Sequence, residues 1–329
     1  MNQHDALLAA VCAAPDDDLP RLVYADWCDE NGDPDRAEFI RTQIEIAKGA
    51  TGGRLGALQL REKELLEEHE SKWSFDLYQV FGDDFAYLFT PPQFSRGFME
   101  DISIESWLLM GYIEALFRIA PIRTLRIDNS DVEDLLDCEH LLRITTLDLT
   151  GCALDEECTN TAKFFSSRFL GNLTTLIAQG PANRHLDVGG LRAIVNSKYL
   201  AKLRRLDIGE NWLFRIPAIE HEEMTRLLIA LGNLPSLTDL GLGGNWLLDP
   251  VIQRLASQPW MSRITRLGLH RNHAGDVGGR ALAESPHLEQ IEHLDLLDND
   301  GFDPEVGSAP MSDEVKQLLK RRFGKRVLL

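Results

Sequence analysis

Basic residues are scarce in this 329-residue chain: 34 Lys and Arg face 52 Asp and Glu, for a formal net charge of −18. The deficit is steepest early, with 19 acids against 9 bases through residue 97 and 33 against 25 after it. A nucleic acid is therefore not the expected partner, because phosphate contacts need clustered Lys and Arg. Long apolar runs are missing too. No stretch approaches the roughly 20 residues that span a bilayer, and the start, MNQHDALLAAV, sets no positive charge ahead of a sustained apolar stretch. The expectation is no membrane and a cytoplasmic location. There are five cysteines, Cys12, Cys28, Cys138, Cys152 and Cys158, none spaced CxxC, so free thiols in a reducing compartment are expected. Catalytic signatures are absent as well: no GxxxxGKS/T, no GxGxxG after a strand, no HExxH and no GxSxG. Neither catalysis, a cofactor, a metal nor a small-molecule ligand is expected.

What the chain has instead is repetition. The frame LxxLxLxxN closes at Asn211 (LRRLDIGEN), Asn245 (LTDLGLGGN), Asn272 (ITRLGLHRN) and Asn299 (IEHLDLLDN). Its central leucines, such as Leu240 and Leu242, stand two apart and so share one face of a short strand, while Gly241 and Gly243 share the other. The Asn is expected to turn inward onto backbone left unpaired where the chain leaves the strand. One copy leaves its leucine face wet; stacked copies bury it as a continuous core.

Weaker copies extend the array upstream: ITTLDLTGC (144–152), IRTLRIDNS (122–130), LTTLIAQGP (173–181) and a degenerate MEDISIESW (99–107). The first central apolar residues fall at 102, 125, 147, 176, 206, 240, 267 and 294, in steps of 22 to 34 residues. Segments 107–118, 155–170, 187–200, 222–231, 250–258 and 276–284 carry apolar residues at helical spacing, with Asp187 and Asp249 as N-cap candidates. An extra loop, 212–221, should protrude at one rim. These residues resemble the leucine-rich repeat, and the helical connections its ribonuclease-inhibitor class. The resemblance implies an α/β solenoid with a parallel sheet on the concave side and helices on the convex side.

Residues 4–47 read differently, as three short helices. Asp18 and Pro20 open the second, Gly32 closes it, and Asp33 with Pro34 starts the third. Leu7, Leu8, Val11, Leu22, Val23, Trp27, Phe39, Ile40 and Ile44 would form a small all-α core. The run APDDDLPRLVYADWCDENGDPDRAEFIRTQ closely resembles the repeat-companion domain that precedes leucine-rich repeats in planctomycete and myxobacterial proteins; RGFMEDISIE (96–105) and RRFGKRVLL (321–329) resemble further segments of such proteins. The resemblance implies a bacterial companion domain plus a repeat array, with no activity attached. The expected layout is 1–50 companion domain, 51–97 helical linker and cap, 98–311 about eight repeats, and 312–329 capping helix and tail.

The frame selects the side chains open to recognition. Partner-binding candidates are Arg126, Asp128, Asp148, Arg205, Asp207, Arg266, His270, Arg271, His293 and Asp295, with the glycine strands as a smooth floor beside them. Trp212 and Trp246, which follow equivalent asparagines, form either an aromatic step on the rim or buried stacking residues within the loop layer. The expected role is a non-catalytic interaction scaffold for a protein of unknown identity. Two alternatives stay open: a metal-dependent or enzyme-associated site near His270, His293 and Asp295, and an effector companion domain addressed by the repeats. Asp16, Asp17 and Asp18 fit a helix cap better than a cation site, since adjacent side chains do not converge. Glu220, His221, Glu222 and Glu223 are a further metal candidate. The basic cluster Lys316, Lys320, Arg321, Arg322, Lys325 and Arg326 fits either a capping helix, whose C-terminal end favours cations, or an anion contact.

Overall fold

The computed structural model describes residues 2–88, 93–127, 132–150, 152–154, 160–180, 186–214, 221–299 and 309–329. It divides into two compact units, Met1–Arg126 and Ile127–Leu329. Among the described residues no helix is long and apolar enough to cross a membrane.

In the first unit, helices α1 (Gln3–Ala13), α2 (Asp18–Glu30), α3 (Pro34–Ala47), α4 (Gly52–Trp73) and α5 (Phe75–Phe81) precede strands β1 (Gln93–Ser95) and β2 (Phe98–Ile104). Helix α6 (Ser106–Ile119) follows, and the division between the units falls within strand β3 (Thr124–Ile127), before Ile127. Local chemistry sets the helix starts: Asn2 and Asp17 accept from the N–H groups of Asp5 and Leu19, and Pro34 stands in the first turn of α3, where a missing N–H is harmless. The other two aspartates of the cluster disperse, Asp16 to Arg123 at 2.9 Å and Asp18 to Lys48 at 3.3 Å.

Leu8, Val11, Ile40 and Ile44 enter the core as expected, with Phe98 from β2 among them. Val23 does not; it is 44% exposed. Helix α2 turns inward through Arg21, Tyr24, Ala25 and Cys28, positions that fall on one helical stripe from which Val23 is excluded. Phe39 packs apart, with Leu65 and Trp73.

Polar ties explain why the unit continues past the helices. Arg21, fully buried, donates to the carbonyls of Pro15 (2.7 Å), Ser95 (3.3 Å) and Arg96 (3.2 Å) and to Glu100 (2.5 Å). Arg36 donates to the Gly97 carbonyl at 2.5 Å, and the Gly97 N–H donates to Gln43 at 2.7 Å. The antiparallel β1–β2 hairpin is thus held against α2 and α3 by side chains reaching its backbone. The three expected helices form, within a compact unit that also holds the β1–β2 hairpin.

The second unit runs β4 (Thr146–Asp148), α7 (Asn160–Phe165), β5 (Thr175–Ile177), α8 (Val188–Val195), β6 (Arg205–Asp207), α9 (His221–Ala230), β7 (Asp239–Gly241), α10 (Asp249–Ala256), β8 (Arg266–Gly268), α11 (Asp276–Glu284), β9 (His293–Asp295), α12 (Asp313–Phe323) and β10 (Val327–Leu328). Strands β4 to β10 lie side by side in chain order, each pair parallel. Leu147, Leu176, Leu206, Leu240, Leu267 and Leu294 stand opposite one another, all 0% exposed. At about 1.5–3 kcal/mol per buried leucine, this row is a main stabilising element of the stack.

The asparagines build a second, polar spine. Asn211 Nδ2 donates to the carbonyls of Ala178 (2.7 Å) and Ile208 (3.0 Å), and Asn245 Nδ2 to that of Ile208 (2.8 Å). The Oδ1 of Asn245 accepts from the Asn211 N–H at 3.1 Å, and that of Asn272 from the N–H groups of Asn245 and Leu247, both at 3.0 Å. Each amide thus satisfies backbone of the repeat before it, and those of Asn211, Asn272 and Asn299 also satisfy backbone in their own repeat. Cys152, at the same position, reaches the Ile127 carbonyl through sulfur at 3.3 Å.

Two expectations change here, and one holds. Asp187 caps its own helix, accepting from Gly190 N–H at 2.9 Å. Asp249 does not: it lies inside α10 and accepts from Gly275 N–H (2.7 Å) and Val277 N–H (3.3 Å), at the start of the next helix. Parallel helices one repeat apart bring the first turn of one beside the open N–H groups of its neighbour, so capping passes between repeats. The terminal segment ends in a strand rather than a tail, since β10 pairs with β9. Within its basic cluster Arg322 donates to the carbonyls of Ala283 and Ser285, and Arg326 to that of Ile291 at 2.7 Å, a structural use for two of the cations. The protruding insert falls largely on 215–220, and the start of the 155–170 helix on 155–159, both outside the described residues.

Candidate partner-binding face

Opposite the leucine row, the strands of the second unit present two aligned rows. Register places Thr146, Thr175, Arg205, Asp239, Arg266 and His293 in one, and Asp148, Ile177, Asp207, Gly241, Gly268 and Asp295 in the next. Adjacent strands lie about 4.8 Å apart, so neighbours along a row interact. Arg205 comes 3.5 Å from Asp207 on its own strand, and Arg266 Nε comes 3.4 Å from Asp239 on the adjoining one. With the arginine side chains 47% and 54% exposed these pairs add little stability. Their consequence is a fixed alternation of sign across the centre of the face.

The aspartates of the second row have a local job that the frame alone does not reveal. Asp148 accepts from Thr150 N–H (2.9 Å), Asp207 from Gly209 N–H (3.2 Å) and Asp295 from Leu297 N–H (3.0 Å). Each carboxylate closes the turn leaving its strand, two residues on. Asp148 is so drawn in that it is 6% exposed, which removes it from the surface it was expected to supply.

The glycine floor is not bare. A Cβ on Gly241 would come within 2.5 Å of the Asp207 carboxylate, and one on Gly243 would overlap the His270 ring. The glycines make room for neighbouring side chains to lie across them. His270, so placed, has its Nδ1 3.3 Å from Asp295, yet off the line that a hydrogen bond requires. Arg271 pairs with Glu210 at 2.9 Å.

Arg205, Asp207, Arg266, His270, His293 and Asp295 therefore share one face. Arg126 is half-buried on β3 in the first unit, and Asp128 lies outside the described residues. Trp212 and Trp246 are half-buried, at φ 52° and 61°, in the turns after their asparagines; Trp246 meets His273 edge-on at 5.1 Å. Among the described residues no three His, Cys, Asp or Glu side chains are placed to hold an ion, the trio at His270, His293 and Asp295 included. Glu222 pairs with Arg254 (2.7 Å) and Arg226 (3.2 Å), and Glu223 with Arg192 (2.6 Å), while Glu220 lies outside the described residues.

Asp239 was not singled out, although its place between arginines of the two adjoining copies is readable from the frame. Burial pushes its carboxyl above the usual range, against the pull of Arg205 and Arg266. The folded state therefore holds this proton more tightly than the unfolded chain does, and stability falls as pH rises between the unfolded and the raised value. Asp239→Asn is expected to match the wild type in acid and exceed it at neutral pH, by a modest amount because the side chain is 24% exposed. Urea midpoints across that range test this; a variant less stable than wild type at neutral pH would contradict it.

No protein-family model and no curated protein sequence is detectably similar to the chain. Among solved structures it is similar to an internalin (inlF) from Listeria monocytogenes, at 16% identity and a TM-score of 0.36, over 68% of this chain and 56% of that one. The chain thus spans little more than half the length of that structure.

Proposed function

We propose that the chain is a non-catalytic protein-interaction module, in which a leucine-rich repeat array of the ribonuclease-inhibitor type binds a protein partner through its concave, strand-bearing face. The supporting observation is the row Arg205, Asp239, Arg266 and His293: four polar side chains held in register on four adjoining strands. Rigid strands position such groups without the ordering cost that mobile loops incur on binding. The alternating signs suit an extended partner segment of mixed charge, and contacts accumulate along the array. In the same proposal, residues 1–50 are a companion segment, 51–97 a linker, 98–311 the repeats and 312–329 their cap.

The test is affinity capture with wild type, with Arg205→Glu plus Arg266→Glu, and with Arg280→Glu, a half-buried position on helix α11 rather than on a strand. Partners lost from the double variant and kept by Arg280→Glu support the reading. The same captured set in all three overturns it, provided thermal melts agree.

A further inference from the structure

We propose that the first unit carries a binding site for a small organic carboxylate, built around Arg36 and independent of the strand-face reading. A cavity of about 290 Å³ is lined by Arg36, Lys72, Trp27, Trp73, Phe98 and Asp33, among others. Tyr24, Trp27, Cys28, Asn31, Asp33 and Arg36 of this wall lie in the run that resembles the companion domain.

The two buried guanidinium groups of this unit differ in one respect. Arg21 is paired with Glu100 and three carbonyls. Arg36, only 8% exposed, has its Nη2 on the Gly97 carbonyl, while its Nη1 is buried with no hydrogen-bond partner among the described residues. Aromatic rings surround it instead, Trp73 at 4.9 Å and Phe98 at 5.3 Å from the guanidinium carbon. Cation–π contact offsets part of the lost hydration but satisfies no N–H. An arginine does not escape by losing its proton, so a buried one calls for an anion.

The walls do not provide that anion in bonded form. Asp33 is taken by Lys72 at 2.8 Å, and Asp76, the other carboxylate lining the cavity, is exposed. His4 is occupied by the Tyr24 hydroxyl at 2.9 Å. Burial pushes the neighbouring Cys28 thiol up to about 11, so it stays neutral and provides no charge.

The same walls choose among anions. Two cations and two carboxylates already balance, and a phosphate dianion would meet Asp33 and Asp76 with twice the repulsion of a monoanion. A carboxylate matches the flat fork of a guanidinium, and the rings of Trp27, Trp73 and Phe98 suit a planar apolar body. The site as built fits an aromatic or short-chain monocarboxylic acid.

The experiment is calorimetric titration of the full wild-type chain with benzoate, benzamide and inorganic phosphate, with tryptophan fluorescence as a second signal because Trp27 and Trp73 line the cavity. Saturable benzoate binding is expected, with benzamide, the uncharged isostere, at least about tenfold weaker. Arg36→Lys keeps the charge without the fork and should weaken benzoate by about tenfold or more. If that variant fails to fold, the contrast between benzoate and benzamide on the wild type still decides. Absence of saturable benzoate binding, equal binding of benzamide, or phosphate binding as tight as benzoate overturns the proposal.

Discussion

Gly97→Ala is expected to destabilise the first unit by about 3 kcal/mol or more, combining overpacking with a left-handed backbone that disfavours any side chain. Gly97 adopts φ 87°, and a Cβ built there lies 2.7 Å from the Ile40 Cα and closer still to its Cγ1. A side-chain tip can swing away; the backbone of α3 cannot. Retreat of the hairpin would also stretch the bonds by which Gly97 accepts from Arg36 and donates to Gln43, leaving buried polar groups short of partners. Gly32→Ala is the control, because Gly32 has φ 81° but nothing within 4 Å, so only the backbone penalty of about 1 kcal/mol remains. Denaturant melts of both variants, with hydrogen exchange read on α2 and α3, measure the difference. Equal losses in the two would show that contact with Ile40 is not what demands glycine.

That contrast also shows what the sequence discloses and what it conceals. Every repeat strand, from β2 to β9, contains the central apolar residue that the frame picked out, because the period-two apolar alternation is a local pattern that survives even where the closing Asn is replaced. Arg21 and Arg36 were invisible as core residues. Arginine is among the least buried residue types, and what admits these two is a set of carbonyls some 60 to 80 residues away on the hairpin. The aspartates hide a different feature. Asp148, Asp207 and Asp295 point outward as the alternation requires, but their carboxylates curl onto backbone two residues ahead, a choice set by turn geometry that periodicity does not encode. Glu210, Arg271 and Asp298 likewise precede their asparagines at positive φ (58°, 53° and 57°), where only Gly244 gave a compositional hint.

The asparagine spine should be where the second unit is most sensitive to a single change. Asn245 is 0% exposed, and its amide accepts from the Asn211 N–H and donates to the Ile208 carbonyl. Alanine would strand both, each at about 1–3 kcal/mol for an unsatisfied buried group, and would leave a cavity besides. A loss of about 3 kcal/mol or more is expected for Asn245→Ala. Asn245→Cys should fall between alanine and wild type, since Cys152 shows that a thiol in this position still reaches a carbonyl of the preceding repeat. Aspartate would keep the acceptor yet lose the donor and bury a charge, so it should rank below cysteine. Because each repeat touches only its neighbours, faster hydrogen exchange should centre on β6 and β7 and fade toward β9. A loss below about 1 kcal/mol, with exchange at Asn211 and Leu213 unchanged, would mean that the leucine row alone holds the stack and the asparagines merely accompany it.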